Sequence, residues 1–171
     1  RTLLATTTVA SAVSSVDFTS GIDSTYSMYE VIFTNVHTDG GNYSFLFNIE
    51  ESSAFKSSGD CYEYANQVTT SGGSHEANAS TGANDVKLHG ETISDDTGYN
   101  ISGIWRIFNP SATDNFKCIM SDISTQRNDG EATRTSSASY YQDNQNAITG
   151  VRFKWSTGDI ATGIFKLYGV S

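Results

Sequence analysis

Apolar residues recur at every second position from one end of this chain to the other. That period marks half-buried β-strands, because successive strand side chains point to opposite faces. VRFKWS is the clearest stretch: Val151, Phe153 and Trp155 point one way, Arg152 and Lys154 the other. In GIFKLYGV, Phe165 and Leu167 oppose Ile164, Lys166 and Tyr168. In NYSFLFNIE, Tyr43, Phe45, Phe47 and Ile49 alternate with Ser44, Asn48 and Glu50. MYEVIFTNV places Tyr29, Val31 and Phe33 on one face and Met28, Ile32 and Val36 on the other, with Glu30 among the second set. ISGIWRIFN sets Trp105 and Ile107 against Ile104 and Phe108, and FKCIMSDI sets Phe116, Cys118 and Met120 opposite Lys117. VDFTS and DVKLHG read as short strands, and RTLLATTTV as the first strand. A signal peptide is the poorer reading of that start, since Thr2, Thr6, Thr7 and Thr8 interrupt the apolar core it requires.

Turn residues separate these runs: Asp39-Gly40-Gly41, Asn109-Pro110-Ser111, Asn128-Asp129-Gly130 and Thr157-Gly158-Asp159. About eight to ten short strands so spaced predict an all-β, antiparallel jelly-roll β-sandwich, with residues 1–171 as one domain. Tyr62 to Val68 fits either a helix or an edge strand. Residues 69–84, TTSGGSHEANASTGAN, carry no large apolar side chain and are expected as a long exposed loop, and residues 127–139 as a second polar stretch.

Composition narrows the function classes. Ten Lys and Arg against 19 Asp and Glu give a net charge of −9. Phosphate neutralisation needs clustered cations, so neither nucleic acid nor an anionic membrane is an expected partner. Nine Phe and nine Tyr with only 17% charged residues argue against disorder. No apolar run approaches the length of a transmembrane helix.

Catalytic motifs are missing: the sequence has no G-x-S-x-G, phosphate loop, HExxH or dinucleotide fingerprint. His37, His75 and His89 are scattered and read as exposed polar residues. The adjacent acids Asp95-Asp96 and Glu50-Glu51 point to opposite faces if they lie on strands, which makes neither an obvious dyad. Asp23, Asp95, Asp96 and Asp129 lack calcium-loop spacing and read as turn caps. No enzymatic activity, metal or cofactor is therefore expected. Cys61 and Cys118 read as reduced, buried small residues; a single disulfide is the alternative. The sequons at Asn42, Asn78 and Asn100 have meaning only in a eukaryotic secretory protein. Among the aromatics, Trp155 continues an inward series and reads as core. Tyr140-Tyr141, next to Gln142-Asp143-Asn144, is the better candidate for a sugar-binding surface.

Two stretches, SSVDFTSGIDSTYSMYEVIFTNVH and AITGVRFKWSTGDIATGIFKLYGVS, resemble a family of small virion proteins of tailed bacteriophages, common in marine and cyanobacterial phages. The family patterns are SVDFTSGIDSTYxxYxFxxxNIH near the start and AIxxIxFxxSSGNIxSGxxKLYGV at the C-terminus. WRIFNPSATDNFK is similar to the family's middle LxLFNPSSTTFVK. The resemblance implies a virion jelly roll and no particular activity. Independently of it, Gly21 closes the strand bearing Val16 and Phe18 where a positive φ costs little.

The expected function is that of a non-enzymatic protein on the outer surface of the virion. A compact sandwich without a coiled-coil stalk or adaptor fits a capsid decoration (cement) protein or short head fibre, assembled as a homo-oligomer, with a trimer expected. Its expected partners are the major capsid protein or other virion proteins. The alternative is a tail-fibre, receptor-binding module that grips host glycan through loop 69–84 and Tyr140, Tyr141 and Asn144. Arg152, Lys154 and Lys166 are the basic residues that would meet an acidic capsid surface; a solvated strand face is the plainer reading of the three.

Overall fold

A computed structural model describes residues 1–90, 92–96, 98–127 and 129–171. Among the described residues the chain forms thirteen strands and no helix. In chain order these are β1 (Thr2–Val9), β2 (Val16–Phe18), β3 (Met28–Thr38), β4 (Phe45–Glu51), β5 (Ala54–Phe55), β6 (Tyr62–Thr70) and β7 (His75–Ala83). They continue as β8 (Val86–Lys87), β9 (Ile101–Phe108), β10 (Lys117–Gln126), β11 (Ala132–Tyr141), β12 (Gly150–Trp155) and β13 (Ile160–Val170).

Two antiparallel sheets pack as a sandwich. One has eight strands in the order β1-β13-β3-β9-β10-β11-β6-β7; the other runs β2-β12-β4-β5, with β8 also paired to β4. Aromatic side chains of both sheets fill the space between them. Phe33 and Phe165 of the large sheet meet Phe45 and Phe153 of the small one, with ring centroids 5.5–6.4 Å apart. Trp105 stands edge-on to Phe47 and Phe153. The inward set expected for the C-terminal strands, Val151, Phe153, Trp155, Phe165 and Leu167, is buried throughout.

Two local devices adjust the alternation. In β3 the pairing with β9 shifts between Phe33 and Val36, where Asn35 has φ 52° and its N–H is met by Ser102 Oγ. This bulge turns Val36 into the core beside Phe33, and not to the opposite face as strict alternation requires. Gly21 has φ +85°, as its place after β2 requires.

The polar segments depart most from expectation. Residues 69–84 are not a loop: they comprise the end of β6, a tight turn, and β7, the edge strand of the large sheet. Tyr62–Val68 lies in strand β6, one place in from that edge. Most of 127–139 is β11, although Asn128, placed in the preceding turn by sequence, lies outside the described residues. β11 contributes Thr133, Thr135, Ser137 and Ser139 to the interior, next to Ser121 and Thr125 of β10 and Asn66 of β6. The Ser/Thr abundance of the chain is thus partly internal. The residues that follow β7 pack on β6 beside this polar half: Asn66 Nδ2 donates to the Lys87 carbonyl (3.0 Å), and Gly90 sits against Val68, where a Cβ would collide.

Candidate interaction surface

The most elaborate polar centre lies at one end of the sandwich. Glu51 ends β4 and is buried. Its carboxylate accepts from Tyr141 Oη (2.5 Å), Asn144 Nδ2 (2.9 Å) and Asn146 Nδ2 (2.6 Å), with Lys56 Nζ at 3.5 Å. Burial works against its charge, but these donors and Lys56 hold its pKa down at about 2. Burial and the Glu51 carboxylate push the Tyr141 phenol the other way. Beside it, Lys117 is buried at the start of β10, opposite Tyr141, and donates to the carbonyls of Asn115 (2.7 Å) and Gln145 (3.0 Å). The centre therefore clamps the 142–149 segment onto β4 and β10. Tyr141 and Asn144 belong to this clamp and not to an exposed sugar platform, which corrects the sequence expectation for both. Sequence reading weighs Glu51 only as half of an adjacent acidic pair and passes over Lys56 and Asn146; the one signal is an acidic residue at the end of an otherwise apolar strand.

Lys117 sets the phase of β10. Phe116, Cys118 and Met120 lie opposite Lys117, as the spacing has it, and theirs is the exposed face, whereas Lys117, Ile119, Ser121 and Ile123 are buried. The full ten-residue strand carries the signal for this phase, because the other one would bury Asp122 and Gln126. Cys118 is accordingly exposed, Cys61 is buried, and both are free thiols.

Residues of β10, β11, β6 and β7 line a shallow apolar trough of about 460 Å³. Met120 lies opposite Ala138, Ala138 opposite Ala65, and Ala65 opposite Ala79. The ridge beside this floor is Phe116 against Tyr140, with ring centroids 6.1 Å apart. Phe116 is 47% exposed and Met120 50%. All six exposed large hydrophobic residues among those described (Leu3, Leu4, Phe108, Phe116, Met120 and Ile164) lie on the eight-stranded sheet or at the entry to one of its strands. The outward charged residues on its strands are Arg106, Arg134 and Lys166 against Glu30, Glu63 and Asp122, three of each sign. Two of these pairs are closed: Arg134 grips Asp122 with two bonds of 2.9 and 2.6 Å, and Arg106 meets Glu30 at 2.8 Å. Of the expected sugar-reading set, Tyr140 and part of residues 69–84 (Ala79, in β7) reach this face, whereas Tyr141 and Asn144 do not.

The small sheet presents a different outer face. Arg152 grips Asp17 through two bonds of 2.8 and 2.6 Å and covers the Phe55 ring, and Lys154 meets Asp85 at 2.8 Å. Lys166 is not on this face; it points outward from the large sheet. The structure does not bring Arg152, Lys154 and Lys166 together as one patch, because β12 and β13 belong to different sheets.

Among the remaining polar candidates, His89 is buried and not exposed: its Nε2 accepts the Phe45 N–H at 2.8 Å, and burial with Lys87 nearby lowers its pKa to about 3. His37 Nε2 lies 3.2 Å from the Asp96 carbonyl, and His75 is exposed on β7. Asp23 accepts from Thr25 N and Tyr29 Oη, and Asp129 from Glu131 N. Among the described residues no group of three or more His, Cys, Asp and Glu is placed to hold a metal ion. No protein family, curated protein or solved structure matches the chain.

Proposed function

We propose that this chain is a non-enzymatic virion surface protein, a capsid decoration protein or short head fibre, whose jelly-roll connectivity and phage origin follow from the resemblance of its two ends. The observation that carries the reading is the outer face of the eight-stranded sheet. A broad, charge-balanced sheet face that carries an apolar trough suits contact with protein neighbours, which needs area more than depth. The best-built carboxylate, Glu51, has its oxygens engaged by four donors and serves to hold the fold. The partners on this reading are further copies of the chain and the major capsid protein or other virion proteins.

Antibody labelling of particles, or an electron-microscopy map, tests the reading directly. Copies arrayed on the head shell are the expected result; absence from the particle overturns it. A second reading, a receptor-binding module for host glycan, has one favourable observation, the outward Phe116–Tyr140 ring pair. It requires labelling at the tail tip, together with glycan binding that Tyr140→Ala abolishes.

A further inference from the structure

We infer that the outer face of the eight-stranded sheet is covered by the same face of a second copy of this chain. The inference rests on the reading of that face as a protein contact and names its partner.

Charge selects the partner. Each chain carries −9, so two copies repel over most of their surfaces. The outward strand positions of this sheet balance three cations against three anions, which leaves the whole excess elsewhere. This face therefore lets an equally acidic copy approach without net opposing charge, and its Arg106–Glu30 and Arg134–Asp122 pairs, closed within each chain, leave no run of like charge to meet its own copy across a two-fold axis. Shape agrees. A ridge of Phe116, Tyr140 and Met120 stands beside a floor of Ala138, Ala65 and Ala79, so a two-fold can seat the ridge of each copy on the floor of the other. Area is sufficient: eight strands at ~4.8 Å by ten residues at ~3.4 Å span roughly 1,300 Å², above the ~800 Å² per partner of a standard interface. The charged face of the small sheet, with its closed ion pairs, stays in solvent.

The test is the mass of the purified protein in solution by light scattering or sedimentation, over a range of concentration and salt. Association at micromolar concentration that tightens as salt is raised is expected, because salt screens the repulsion and leaves apolar contact intact. Met120→Glu, and separately Ala138→Glu, should weaken association by ~10-fold or more with an unchanged melting temperature of the monomer. Cys118 sits within the patch and serves as a reporter: it should react with a thiol reagent quickly in dilute protein and slowly in concentrated protein. A chain that stays monomeric throughout overturns the inference. So does association that survives both substitutions, or that weakens with salt, or coverage of this face only by a different virion protein. Particle labelling is separate: self-association by a protein absent from particles would overturn the virion reading and leave this inference standing.

Discussion

Tyr141 donates its hydroxyl proton to Glu51 across 90 positions of sequence, at 2.5 Å and out of contact with solvent. That bond joins the last residue of β11 to the last residue of β4, one from each sheet. It closes one end of the sandwich and leaves the wide outer face free for contact.

Removing the hydroxyl tests the clamp. Tyr141→Phe should cost about 1–2 kcal/mol, and Glu51→Gln about 1–3 kcal/mol near neutral pH, because buried donors then lose a charged acceptor. Chemical denaturation of both variants and the double variant should give a clearly non-additive coupling; additive losses would show that the two groups act separately.

The acid limb of stability should have two parts. His89 has its pKa lowered from 6.5 to about 3, so between those values the unfolded chain binds the proton that the folded chain refuses. Its contribution is complete above 6.5 and is lost as pH falls, at up to ~1.4 kcal/mol per pH unit. Glu51, lowered from 4.5 to about 2, adds a second loss in that lower window. His89→Gln should flatten the limb above pH 4.5 and leave only the Glu51 loss below it; an unchanged slope above pH 4.5 would show that His89 is protonated in the folded protein.

The phase of β10 has its own test. Lys117→Met strands the carbonyls of Asn115 and Gln145 and should destabilise by about 1–3 kcal/mol. A lysine pointing into solvent would tolerate the same change within about 0.5 kcal/mol.

At the centre of the core, Phe153 touches the rings of Phe33, Phe45, Trp105 and Phe165. Phe153→Ala should cost about 3–5 kcal/mol in denaturant titration. The outer face of the same strand should respond little. Arg152→Glu with Lys154→Glu exchanges two half-exposed ion pairs, each worth about 0–1 kcal/mol, and should leave incorporation into particles unchanged if the large sheet makes the contact.

Alternation alone determined the all-β class and most of the aromatic core, because in Val151–Trp155 and Ile164–Leu167 large apolar side chains mark one face without ambiguity. It had no purchase on β7 and β11. Up to the last residues of β11 they carry no large apolar side chain: β11 nevertheless buries Thr133, Thr135, Ser137 and Ser139, whereas β7, an edge strand, buries none. Neither phase of the first residues of β10 excludes the other until Asp122 is counted, so the inward lysine and the outward Phe116 and Met120 emerge only with the strand's full register. The Glu51 clamp is beyond sequence for a further reason. Its members come from β4, the segment after β5, β11 and the segment beyond it, and their proximity exists only once both sheets are closed against each other. Periodicity reports which face a residue shares with its neighbours in the chain; which faces meet, and which stay open, is decided by packing between strands far apart in sequence.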